Sequence, residues 1–206
     1  MRAAALDAVT LDAYGTLVTL RDPVPALVAD LAERGVERAP DGVLAGFRAE
    51  VAHYGEHSHD GNDEHGLQRL QRECAGVFLT AVGAGLDAGV FAPAFVGALR
   101  FEPLPGVAEA LAQLRGLGLE LAVVANWDLS IGRLLGEAGL ARFFSTIVHA
   151  ARKPAPDGFL RALAELGIAP ARALHVGDDA KDEQGATAAG LEFAPAPLTA
   201  VLRSLG

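Results

Sequence analysis

The sequence predicts an α/β fold: a doubly wound parallel sheet with a helical insertion after the first strand. Three observations predict it. Short apolar runs at residues 9–11, 119–124 and 173–176 each break into polar residues, as the buried strands of a parallel sheet do. From residue 105 onward, segments with helical spacing separate such runs, which implies right-handed crossovers between parallel strands. Between the first and second runs lies a long stretch with helical periodicity and no strand logic.

Taken in order, residues 1–20 form the first strand and its loop. Val9, Thr10 and Leu11 favour a pleated segment, and Gly15 permits a sharp exit after Asp12. Residues 21–98 form the insertion, with helical spacing over 24–34 and 43–54 and apolar positions three and four apart over 67–82. Residues 99–206 return to alternation and complete the α/β core with residues 1–20. Helices are predicted at 107–117, 129–138, 155–166 and 182–189, strands at 119–124, 146–148, 173–176 and 191–194, and a closing helix at 198–205.

The strand ends carry the chemistry. Asp12 follows the first run, Asn126 the second, Lys153 precedes Pro154 at a helix start, and Asp178 and Asp179 follow Gly177. Strand ends of a parallel sheet gather along one edge, where open α/β folds bind ligands. A carboxylate at such an edge can attack an electrophile, hold a divalent cation, or merely cap its own turn. Lys153 and Lys181 are the two lysines among 17 basic residues, so a lysine beside Pro154 points to a need for a compact charge.

Composition narrows the function classes. A chain of 206 residues, 51% apolar, can bury one substantial core with one sizeable insertion. Its formal charge of -9 argues against a nucleic-acid partner, yet a small anionic substrate responds to local charge. Cys74 stands alone, which fits a reducing cytoplasm. The start supplies no signal peptide, and no apolar stretch approaches the ~20 residues of a membrane span. A cytoplasmic monomer or homodimer is the expectation. Residues 53–65 hold four of the six histidines with four carboxylates. That composition suits either a metal site or a polar loop between helices.

Four motifs in this order, Asp12-x-x-Gly15-Thr16-Leu17, Ala125-Asn126, Lys153-Pro154 and Gly177-Asp178-Asp179, resemble the haloacid dehalogenase (HAD) superfamily of hydrolases. The resemblance runs from Asp12 to about Gly190, and the approach Pro103-Leu104-Pro105-Gly106-Val107 fits it as well. It implies a Rossmann-like core and a helical cap over residues 21–98 that closes on the site and selects substrate. It implies Asp12 as nucleophile, Lys153 as its charge partner, and Mg2+ held by Asp12, Asp178 and the Tyr14 carbonyl. Thr16, Ala125 and Asn126 are then expected to support substrate oxygens, with Asp179 and Asp182 behind the metal. Arg48, on a cap helix, is the candidate for gripping a substrate carboxylate.

Two positions depart from the phosphatases of that superfamily. Tyr14 stands where a general-acid Asp is usual, and a phenol of pKa ~10 is a poor proton donor at neutral pH. Ala125 lacks the usual hydroxyl, a loss that can cost about 10²-fold in rate. Asp12-Ala13-Tyr14-Gly15-Thr16 is also what L-2-haloacid dehalogenases resemble, and halide leaves without a proton. The acidic last motif favours a Mg2+-dependent phosphatase. A 2-haloacid dehalogenase is the alternative, followed by a catalytically weak relative that binds a ligand or partner.

Overall fold

The computed structural model describes residues 6–205. Residues 1–5, which the sequence assigns to the lead-in of the core, and residue 206 lie outside the described residues. In chain order the strands are Ala8–Leu11 (β1), Val18–Leu20 (β2), Phe101–Pro103 (β3), Glu120–Val124 (β4), Thr146–Val148 (β5), Ala173–Gly177 (β6) and Glu192–Pro195 (β7). The helices are Val24–Ala32 (α1), Pro40–His57 (α2), Glu64–Ala81 (α3), Ala88–Ala98 (α4), Val107–Gly116 (α5), Ile131–Glu137 (α6), Asp157–Leu166 (α7), Ala180–Ala189 (α8) and Leu198–Leu205 (α9). No helix among the described residues is long and apolar enough to cross a membrane.

The chain divides into two compact units. One runs through Thr19 and resumes at Glu102; the other is Leu20–Phe101. The first carries a five-stranded parallel sheet in the order β5-β4-β1-β6-β7, a doubly wound α/β fold. Buried β1 is central because Ala8, Val9, Thr10 and Leu11 suit a strand with no water on either face. Leu11 lies opposite Val123 of β4 and Val176 of β6. The residues that follow these strands therefore emerge at one edge. The Asp12 N–H extends the ladder by donating to the Val176 carbonyl at 2.9 Å.

The second unit is helical. Leu27 and Leu31 of α1, Val43 of α2, Leu70 and Phe78 of α3, and Phe91 and Phe95 of α4 share its core. The Phe78 ring lies 6.0 Å from Phe91 and 5.2 Å from Phe95, centroid to centroid. Gly46 faces Phe78 and Val82, and a Cβ there would collide with the Val82 side chain, so α2 and α3 pack closely.

Three local expectations change. The spacing did not predict α4, because it is apolar almost all round and holds Pro93, which blurs the 3.6 period; Asp87 caps it by accepting from the Val90 N–H at 2.9 Å. β2 and β3 pair as a separate two-stranded sheet, and at three residues each they are too short to show alternation. The histidine-rich stretch is mostly not a loop: α2 continues over Gly55 to His57, a 3-10 turn spans Ser58–Asp60, and Asp63 caps α3.

Candidate active site

Asp12 is buried just beyond β1, and the Lys153 ammonium lies 2.5 Å from its Oδ1. The same ammonium lies 2.5 Å from Oδ1 of Asp182, on α8. Both partners are remote in sequence, and the sheet edge brings them together. A tight approach between α7 and α8 sets the position of Asp182. Gly185, one turn further along α8, faces the Phe159 ring of α7, and an added Cβ would strike it.

Lys153 is itself held from behind. The Asn126 side chain accepts from the Lys153 N–H at 2.7 Å and donates to the Lys153 carbonyl at 3.0 Å. The loop it grips is bent, with Ala150 at φ 49° and Arg152 at φ 56°. Such left-handed non-glycine residues persist only where surrounding contacts over-determine them. Asn126, expected to meet substrate, has its amide committed to the Lys153 backbone. Ala125 is likewise occupied: its N–H donates to Val148 and its carbonyl accepts from Ala151. The expectation that Ala125 supports substrate oxygens finds no spare main-chain N–H there.

Asp178 lies exposed at the end of β6 and packs against Gly15. An added Cβ at Gly15 would collide with the Asp178 carboxylate, and Gly15 has φ 77°. Both facts require glycine. Asp12, Asp178 and Asp182 each present a ligand oxygen within 4.8 Å of the others, and among the described residues they are the one such group of three. No similar group forms in the histidine-rich stretch, where His53 stacks on His57 with centroids 4.4 Å apart and His57 Nδ1 lies 3.1 Å from Asp60.

Charge is unbalanced in this cluster. Three carboxylates lie together with one ammonium, which contacts Asp12 and Asp182. Burial raises the Asp12 carboxyl above its ordinary value, with Asp182 adding to that and Lys153 opposing it. Asp178, though exposed, is partly desolvated on its protein side, and this raises its carboxyl as well, again with help from Asp182. For Asp182 burial acts upward too, but the His175 hydrogen bond and Lys153 hold it down to about 2. Burial alone would lower the Lys153 ammonium, and the two carboxylates raise it instead. The donor set is all oxygen and carries excess negative charge, which fits a hard divalent cation such as Mg2+.

The remaining expected residues fall as follows. Thr16 is 1% exposed, and its Oγ1 has no hydrogen-bond partner among the described residues. A buried orphan hydroxyl on the Asp12 loop is an unused donor. Tyr14 bridges to Val18, and the residue is 51% exposed. Asp179 is a helix cap: its Oδ1 accepts from the Lys181 and Asp182 N–H groups at 2.7 and 3.0 Å, so its carboxylate is largely committed to α8. Asp182, expected only behind a metal, is a direct partner of Lys153. Arg48 is exposed on α2 of the helical unit. The hydrogen-bonding role of His175 was not predicted. Its one signal is a polar ring inside an otherwise apolar strand.

A family model described as haloacid dehalogenase-like hydrolase matches residues 6–190. A human protein, haloacid dehalogenase-like hydrolase domain-containing protein 3, is 33% identical over 199 residues, covering 88% of this chain and 78% of its own. The phosphoglycolate phosphatase of Escherichia coli K12 is 37% identical over 91 residues, 42% of this chain and 36% of its own. Among solved structures, the L-2-haloacid dehalogenase of Xanthobacter autotrophicus with chloropropionic acid covalently bound has a TM-score of 0.66 at 26% identity, over 92% of this chain and 77% of that one. With Asp12, Lys153 and the last-motif acids gathered at one sheet edge and the family match running over most of its length, the chain belongs to the haloacid dehalogenase-like hydrolases.

Proposed function

We propose that this hydrolase is a Mg2+-dependent phosphatase acting on a small phosphorylated metabolite through Asp12. The observation that carries the reading is the surplus of carboxylate over ammonium at Asp12, Asp178 and Asp182. A site for a halogenated acid needs no cation, and packing these carboxylates without one is costly. Asp12, Asp178 and the Tyr14 carbonyl are the proposed ligands. Both Asp182 oxygens are already engaged, Oδ1 by Lys153 and His175 and Oδ2 by the Asp179 N–H, so Asp182 stays behind the metal. When bound, Mg2+ supplies charge neutralisation that lets the carboxylate approach a phosphate dianion.

The chain's own residues do the rest. Lys153 holds Asp12 Oδ1 and orients Oδ2 toward phosphorus. Attack forms an acyl phosphate on Asp12 and breaks the bond to the leaving alcohol oxygen. That oxygen takes its proton from water, since Tyr14 is a weak acid at neutral pH. Water then attacks phosphorus, releasing phosphate and restoring the Asp12 carboxylate. Thr16 Oγ1 is the proposed donor to a phosphoryl oxygen. Substrate selection is assigned in this reading to the helical unit, with Arg48 as its gripping residue.

Tyr14 carries a second reading. A halide needs no proton, so Asp12 with Lys153 suffices for dehalogenation, and the 26%-identical relative binds chloropropionic acid covalently. The test is turnover of aryl phosphates with Mg2+ and with EDTA. The phosphatase reading expects metal-dependent turnover that Asp12→Asn abolishes. Chloride release from 2-chloropropionate, unaffected by chelator, would replace it with the second reading.

A further inference from the structure

His175 is fully buried in β6, with the rings of Phe159 and Phe193 4.8 and 6.4 Å away, centroid to centroid. A polar ring there is costly unless both nitrogens are satisfied. Both are. The sheet register sets Thr10 directly opposite His175, and Thr10 Oγ1 lies 2.9 Å from Nδ1. Nε2 lies 3.1 Å from Asp182 Oδ1, the oxygen that also receives the Lys153 ammonium. A continuous buried chain therefore runs from Thr10 through His175, Asp182 and Lys153 to Asp12.

We propose that His175 is a positioning residue: as the neutral Nε2–H tautomer it tethers Asp182 and thereby sets how Lys153 is shared between Asp182 and Asp12. This rests on the reading of Asp12 as the nucleophile. The tautomer follows from the partners. An ionised Asp182 accepts only, so Nε2 carries the hydrogen; the neutral ring has no second one, so the Thr10 hydroxyl donates to Nδ1. Burial lowers the imidazole below its ordinary value and keeps it neutral. With the Nε2–H donating, Asp182 Oδ1 has two donors and Lys153 is free to face Asp12. Without it, Lys153 is the only side-chain donor left to Asp182 and is drawn away from the nucleophile.

Two amides separate this role from simple packing. Gln at position 175 places its NH2 near the Nε2 end, whereas Asn reaches only the Nδ1 end. His175→Asn is expected to lower kcat on an aryl phosphate by about 10-fold or more with KM little changed, and His175→Gln to recover most of it. Equal loss in both variants, or loss in neither, overturns the proposal. In the wild-type protein, 15N NMR of the imidazole should show a neutral Nε2–H ring; an Nδ1–H ring or an imidazolium at neutral pH overturns it even if the variants fail to fold. The Lys153 Nζ resonance should move in His175→Asn and stay in His175→Gln. If the wild type turns over neither phosphates nor haloacids, the hydrolytic reading fails, and these two NMR measurements alone judge His175.

Discussion

Lys153 gains its place from two residues besides Asp12. Asp182 draws the ammonium from one side, and Asn126 fixes the main chain that carries it. The strained φ values at Ala150 and Arg152 mean that the loop relaxes if its clamp is lost, and each such residue stores on the order of 1 kcal/mol. Asn126→Ala should therefore lower kcat by about 10- to 100-fold while KM changes little, as measured by steady-state turnover of an aryl phosphate. A rise in KM at constant kcat would assign Asn126 to substrate instead. At this scale the sequence named Asp12, Lys153 and Asp178 through motif spacing. It gave no warning that the Asn126 amide would be spent on backbone, because a hydrogen bond between residues 27 apart depends on how two loops meet.

At the level of elements, α2 carries the other misplaced charge. Glu50 is buried against α3 and hydrogen-bonded with Cys74, and burial pushes its carboxyl up to about 7. In the unfolded chain the same group titrates near its ordinary value of 4.5. The folded state thus holds the proton more tightly, so its stability advantage is full below about pH 4.5 and is lost as pH rises through about 7. The swing is about 3 kcal/mol. Glu50→Gln should raise the urea midpoint at about pH 8 and leave it nearly unchanged near pH 4.5. An equal effect at both values would locate the cost elsewhere. The periodicity of α2 predicted a helix there, with ends three residues short on each side. Pro40 at the first turn and the continuation over Gly55 account for the difference.

For the molecule as a whole, crowding three carboxylates at one place is expected to cost stability. In EDTA, Asp178→Asn removes one of the crowded carboxylates, so it should raise Tm. Millimolar Mg2+ should raise the wild-type Tm by mass action, about 2.7 kcal/mol at a hundredfold excess over Kd, and should leave Asp178→Asn unmoved. Thermal unfolding with and without Mg2+ checks both signs. A wild-type Tm indifferent to Mg2+ would remove the metal from the proposed function.

By itself the sequence determined the parallel α/β core, the helical segment after the first strand and the four motif positions. Strand ends, turn residues and apolar periods are local properties that survive without the rest of the chain. Only the tertiary structure decided that Lys153 meets Asp182 as well as Asp12, that Asp179 caps a helix, that Thr16 keeps an unused hydroxyl, and that His175 closes a buried chain from Thr10 to Asp182. Those outcomes depend on sheet order, on the register that sets β6 against β1, and on the glycine contact between α7 and α8. Distances across the fold decide them, and residue spacing along the chain carries no record of such distances.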